Sequence, residues 1–156
     1  MISLALYQPD IPGNVGSAIR LGAGLGIPLH IIEPCGFPWD ERKIRTAALD
    51  YRDHVNLTRH ESWSAFQTKT KAHRVILMTT KTTLPYWDFA FQPGDILMAG
   101  RESAGVPPAV HQSAPYKITI PMAGSLRSLN VINACAMVVG EALRQTRIPS
   151  HTLTES

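Results

Sequence analysis

Cysteine is scarce in this chain, with Cys35 and Cys135 the two thiols among 156 residues. They carry no metal-ligand spacing. In a chain long enough to bury a core without staples they suggest a reducing cytoplasm, with a bridge between them left open. Long apolar runs are missing as well. No segment approaches the roughly 20 uninterrupted apolar residues of a membrane span. Met1-Ile2-Ser3-Leu4 lacks the basic region and cleavable apolar stretch of a signal peptide, so it reads directly as a first strand. There is no internal repeat, low-complexity tract or linker. No P-loop occurs, and no Gly-x-Gly-x-x-Gly turn follows a strand, which leaves a dehydrogenase-like dinucleotide binder without its fingerprint. What remains, 44% hydrophobic and 17% charged residues, is the composition of a globular protein.

The pattern that is present alternates strands with helices. Ile2 to Tyr7 reads as a buried strand, Pro9 and Pro12 break it, and Asn14 reads as a helix start for a segment running to Leu25. Leu29 to Ile32, Val75 to Thr79, Asp95 to Ala99 and Lys117 to Ile120 are further strands. Helices are expected from the Asp40 cap through Ala48, over Ser62 to Lys69, Pro107 to Gln112 and Asn130 to Thr146. That order predicts an α/β sandwich with a mainly parallel sheet, one domain over residues 1–149 and a loose polar tail over 150–156.

Charge is mildly basic, +3 formally with a pI near 9.1. It is clustered: Arg42, Lys43, Arg45 and Arg52 share one segment, Lys69, Lys71 and Arg74 another. Such clusters attract phosphate backbones by counterion release, and equally make ordinary solvated helix faces.

Three segments carry chemistry. In the first, Asn14 opens a helix directly after a strand and Arg20 follows nearly two turns later. An amide offers donor and acceptor, and a guanidinium offers a fork for phosphate or carboxylate. A plain cap and a solvent-facing arginine would look the same. In the second, a strand ends at Gly100, Glu102 places a carboxylate at its carboxyl end, and Gly105 breaks the turn before Pro107, the location where open α/β sheets bind ligands. In the third, Ile120-Pro121-Met122 runs through a polar loop into Ser128-Leu129-Asn130 and a nearly uncharged helix. Ser128 and Asn130 suit helix caps, and the arrangement also suits a pocket lined by main-chain groups.

Together these segments resemble the three signature motifs of the SPOUT superfamily of methyltransferases, in its SpoU-type branch that methylates ribose 2′-hydroxyls. The likeness runs from Leu6-Tyr7 to Glu141-Ala142. It is closest to the TrmL-like tRNA (cytidine/uridine) 2′-O-methyltransferases of the anticodon wobble position. Leu6-Tyr7-Gln8-Pro9 with Ile11-Pro12-x-Asn14, Leu29-His30-Ile31-Ile32-Glu33-Pro34, Leu49-Asp50-Tyr51, Thr79-Thr80-Lys81 and Ser128-Leu129-Asn130 carry it. The chain departs in having Arg101 after Gly100 and a shorter loop at Gly124-Ser125-Leu126.

The resemblance implies a C-terminal trefoil knot holding S-adenosylmethionine, with no metal. Cofactor contacts would fall at Met78, Gly100, Ile120, Ser128 and Leu129. Arg20 would serve the ribose hydroxyl with Asn14, Glu102, Ser128 and Asn130 as the other catalytic positions. A guanidinium rarely deprotonates, so gripping phosphate and stabilising the developing alkoxide is the easier role for Arg20. Lacking a separate RNA-binding domain, the chain would hold the tRNA anticodon stem-loop on its own body through Arg42, Lys43 and Arg45. It would act as a cytoplasmic homodimer with no membrane partner. Rival expectations are a SpoU-type enzyme acting on another tRNA position or on rRNA, and a non-catalytic RNA-binding module of the same fold.

Overall fold

The computed structural model describes residues 1–124 and 129–147. Six strands form one sheet: β1 (Ser3–Tyr7), β2 (Leu29–Ile32), β3 (Leu57–His60), β4 (Val75–Met78), β5 (Ile96–Ala99) and β6 (Tyr116–Ile118). Their order is β3-β2-β1-β5-β4-β6, and every pairing is parallel. The expected mainly parallel sheet is therefore wholly parallel among the described residues. Five helices cover it: α1 (Pro12–Leu25), α2 (Glu41–Ala48), α3 (Trp63–Lys69), α4 (Pro108–Ser113) and α5 (Val131–Thr146).

The two-residue period of a strand sorts side chains onto two cores. On one face Leu4 and Leu6 of β1 join Val15, Ile19, Ile44 and Val138 from α1, α2 and α5. On the other, Ala5 and Tyr7 join Phe66 of α3 and Val110 of α4. Buried on both faces, the central strands are nearly continuous apolar runs, which is why the sequence signals them clearly.

Two local readings are corrected. Asn14 does not cap α1, whose cap is Ile11 with no side-chain bond and whose first turn holds Pro12. A proline there fixes φ and removes an N–H that would have lacked a partner, so the Asn14 amide is released for other work. Strand β3 was not expected, because Leu57-Thr58-Arg59-His60 lacks an apolar run. It is an edge strand, and its Arg59 makes a two-pronged bond to Glu33 of the next strand's end.

Asp40, Ser62 and Asn130 cap α2, α3 and α5 through their side chains, as their positions lead one to expect. Helices α1 and α2 approach so closely that a β-carbon at Gly16 would lie 2.6 Å from the Ala47 backbone. The strand order turns between β1 and β5: from β1 the chain builds outward to β3, and from β5 outward to β6. Such a reversal opens a crevice beyond the strand carboxyl ends, the usual ligand position of open parallel sheets.

Candidate active site

Beyond the strand carboxyl ends, reaching from the loop after β1 to β6, lies a cavity of about 480 Å³, within the range of small-molecule sites. Its walls are the ends of β4, β5 and β6 and the start of α5. Met78, Gly100, Ile120 and Leu129, four of the expected cofactor positions, all line it, as do Asn14, Glu102 and Asn130. Ser128 lies outside the described residues. Ala134 and Val138 of α5 close the apolar side.

The polar end is a hydrogen-bonded chain. Asn14 Nδ2 donates to Glu102 Oε1 at 3.1 Å, and Asn130 Nδ2 lies 3.5 Å from Asn14 Oδ1. Asn130 Oδ1 meanwhile accepts from the backbone of Ile132 and Asn133, so one side chain starts α5 and braces Asn14. Residues 116 positions apart are thereby tied together. The main-chain N–H of Asp10 donates to Glu102 Oε2 at 3.0 Å, and Ser103 Oγ donates to the Asp10 carboxylate.

Burial, then the neighbouring Asp10, push the Glu102 carboxyl above its ordinary range. The hydrogen bond with Glu102, then that from Ser103, hold Asp10 below its own. Asp10 and Ser103 were not singled out from the sequence. An acid two residues before the proline-led helix, facing the carboxylate that follows β5, was the available signal.

The glycines of the β5 loop serve the loop itself. Gly100 and Gly105 both line the cavity, and a β-carbon at Gly100 would sit 2.8 Å from the Gly105 backbone. The main chains of Arg101 and Gly105 exchange hydrogen bonds at 3.0 and 2.9 Å, and Gly105 adopts φ +62°. Arg101, the unusual residue, turns back to bond Gly105 O at 2.8 Å and lies over the Tyr7 ring. The loop is a folded plug whose free edge carries Glu102.

Arg20 is not brought to this cavity. It is exposed on α1, and six residues after Asn14 it lies about 9 Å along the helix and two-thirds of a turn round it. Of the basic cluster, Arg42 and Lys43 are exposed without acidic partners among the described residues, whereas Arg45 meets Asp53 at 2.9 Å and Arg52 meets Glu41 at 2.8 Å. Arg74, in the second cluster, turns inward to bond buried Asp95 and stack on Tyr116, so it is a packing residue. His30 and His60 pair with each other on the α3 side of the sheet, away from the cavity lining. No group of three or more metal-ligating side chains occurs among the described residues.

A parallel α/β body with a largely apolar cavity beyond its strand ends, carrying an amide–carboxyl chain at its polar end, defines an enzyme-type small-molecule site. Residues 1–140 match the SpoU rRNA Methylase family. The chain is 56% identical over 145 residues, 91% of its own length and 90% of the relative's, to a tRNA (cytidine(34)-2′-O)-methyltransferase of Beijerinckia indica subsp. indica. A solved structure concerned with 2-OH methylation of C/U34 on tRNA superposes with a TM-score of 0.87 at 40% identity, covering 93% of this chain and 95% of that one. The SpoU methyltransferase AviRb from Streptomyces viridochromogenes, solved with the cofactor AdoMet, gives 0.81 at 27% identity over 92% of this chain and 59% of that one. The chain belongs to the SpoU methylase family.

Proposed function

We propose that this protein transfers a methyl group from S-adenosylmethionine to the ribose 2′-hydroxyl of the wobble nucleotide of tRNA, a cytidine or a 5-substituted uridine. The carrying observation is the Glu102–Asn14–Asn130 chain at the polar end of the cavity. It presents oriented amides where an apolar chamber meets solvent. The relatives' activity on cytidine 34 supplies the substrate.

The cavity fits the cofactor. Met78, Ile120 and Leu129 supply apolar faces for an adenine, and backbone groups near Gly100 and Ile120 supply polar edges. Bound there, the cofactor supplies a methyl carbon on a positively charged sulfur, a leaving group already activated, so no metal is required of the site. The chain's own residues orient the ribose and stabilise charge. Asn14 and Asn130, braced as described, hold the sugar, and Arg20 grips phosphate and stabilises the oxygen as its proton passes to solvent water at the mouth of the cavity.

Arg20 reaches a ribose through a second copy of the chain. On α5, Asn133, Ala136, Met137 and Gly140 form an exposed stripe at helical spacing, and Ile11 at the start of α1 is 47% exposed. Two such faces packed together make the homodimer, setting one subunit's Arg20 beside the other's cavity. Arg42 and Lys43 on α2 provide the free charge for RNA. The C-terminal trefoil knot and a cytoplasmic location complete the reading.

The test is mass spectrometry of anticodon fragments after incubation of tRNA with the protein and methyl-labelled S-adenosylmethionine. A label on the ribose of nucleotide 34 is expected. A label elsewhere, or none, overturns the assignment.

A further inference from the structure

Glu102 is braced from behind by a residue that the methyl-transfer reading leaves without a task. Asp10 leaves β1 through Gln8, whose φ of 43° turns the chain sharply at the strand end. The turn sets Asp10 between two loops. On one side Gly36, following β2, packs so tightly that a β-carbon there would lie 2.5 Å from Asp10 Cβ, and Gly36 N–H donates to Pro9 O at 2.9 Å. On the other side are Glu102 and Ser103 of the β5 loop. Asp10 Oδ2 accepts from Ser103, but Oδ1 is shut off from solvent and has no partner among the described residues.

A buried carboxylate oxygen without a donor is costly. The neighbouring group that can supply a donor is the Glu102 carboxyl, whose Oε2 already accepts from the Asp10 N–H at 3.0 Å, provided it carries a proton. Two acids held by one main-chain N–H in a partly buried place do not both ionise readily, so one proton between them relieves the repulsion and fills the vacant acceptor together. The directions in which the two groups depart from their ordinary ranges agree with this.

We propose that Asp10 is a positioning residue: it shares one proton with Glu102 across the β1–β5 crevice, and that proton fixes the carboxyl on which the Asn14 amide is oriented. The proposal rests on the methyltransferase reading for its catalytic consequence, and on the Asp10–Glu102–Ser103 contacts and the unpartnered Asp10 oxygen for the shared proton. With the proton in place the pair carries one negative charge, Glu102 Oε1 stays aimed at Asn14 Nδ2, and Asn14 Oδ1 stays aimed at Asn130. Removing the proton leaves two negative charges in contact, which separates the carboxyls and frees the Asn14 amide. Activity therefore falls on the alkaline side as the pair loses its last proton.

The other charged or titratable groups facing the pair are few. Arg101 is committed to its own loop and Tyr7. Cys135 on α5 and Cys35 on the β2 loop both feel Glu102, and burial holds their thiols high, Cys35 at about 11 and Cys135 at about 12. Arg59 is bonded to Glu33. None of them replaces the shared proton.

The experiment uses the full chain and two readouts. In carbon-detected NMR titration of the wild-type protein, the Asp10 and Glu102 carboxyls should titrate as a coupled pair in two steps about two pH units or more apart. In Asp10→Asn, Glu102 should titrate in one step at lower pH. In steady-state methylation, Asp10→Asn should lose the alkaline decline of kcat while KM for S-adenosylmethionine stays within about twofold, and Asp10→Glu should restore the decline. Independent titration of the two carboxyls in the wild type overturns the shared proton, even where a variant fails to fold. An unchanged pH profile in a folded Asp10→Asn overturns the positioning role. A coupled titration in a protein that methylates no tRNA would leave the pair standing and sink the activity assignment instead.

Discussion

Replacing Arg42 and Lys43 together by alanine separates free charge from charge already paired on the protein's surface. Both side chains stand exposed on α2 without an acidic partner among the described residues, whereas Arg45, two positions on, is 2.9 Å from Asp53. A cation that neutralises an RNA phosphate releases condensed counterions, each phosphate adding about 0.7–0.9 to the slope of log affinity against log salt. Losing two such contacts should reduce the slope by about 1.5, so the affinity advantage of the wild type shrinks about eightfold between 50 and 200 mM salt. Arg45→Ala alone should change the slope far less, since its phosphate contact would first have to displace Asp53. Filter binding or anisotropy with an anticodon stem-loop at four salt concentrations reads the difference. A double variant with the wild-type slope refutes the role of this helix face. A single Arg45→Ala that flattens the slope as much as the double variant refutes the distinction between free and paired arginines.

Arg20→Ala and Asn130→Ala subunits should each be inactive alone while binding S-adenosylmethionine in calorimetry with near wild-type affinity for Arg20→Ala. Mixed and reassembled, they should recover roughly a quarter of the wild-type sites, because half of the dimers pair one of each and hold one complete site; no recovery in verified mixed dimers means Arg20 serves its own chain. Gly100→Ala should cost about 1–3 kcal/mol in urea unfolding, the range for overpacking, and lower kcat by displacing the loop that carries Glu102; a neutral change would show the 2.8 Å approach to Gly105 to be soft. Burial, followed by His60, lowers His30 from 6.5 to about 4, and His60 is lowered by burial. The folded state therefore favours the neutral rings, so their stability contribution is complete above pH 6.5 and is lost as pH falls from there toward about 4. After discounting for the partial exposure of His30 the loss is roughly 2 kcal/mol; equal stability at pH 7.5 and 4.5 would contradict it.

The fold was legible where burial leaves a strong mark. Strands β1, β2, β4 and β5 are apolar because both faces are covered, and the side-chain caps at Asp40, Ser62 and Asn130 announce their helices. Strand β3 was not legible. Its Thr58, Arg59 and His60 look like loop residues, and what makes them a strand is an open hydrogen-bonding edge on β2 together with the Arg59–Glu33 pair. The strand order was not legible either, since it depends on which crossovers pack and not on any local pattern. The start of α1 misled for a related reason: Asn14 has the right chemistry for a cap, but the helix had already begun at Pro12, with Ile11 as its cap.

The site was legible as residue types and illegible as partnerships. Asn14, Glu102 and Asn130 stood out because amides and a carboxylate sit at strand ends and helix starts, yet their bonding spans 88 and 116 positions and needs the crevice to exist first. Gly100 and Gly105 stood out as turn residues, but their separate reasons needed the structure: Gly100 leaves room for the Gly105 backbone, and Gly105 takes φ +62°. Asp10 is the sharper case. One carboxylate after a strand is commonplace; opposite a second, with a buried oxygen left without a donor, it becomes a statement about where a proton resides. That statement comes from three loops meeting, after β1, β2 and β5, so a change at Gly36, which is outside the cavity lining, large enough to push Asp10 away should disturb Glu102 at a distance.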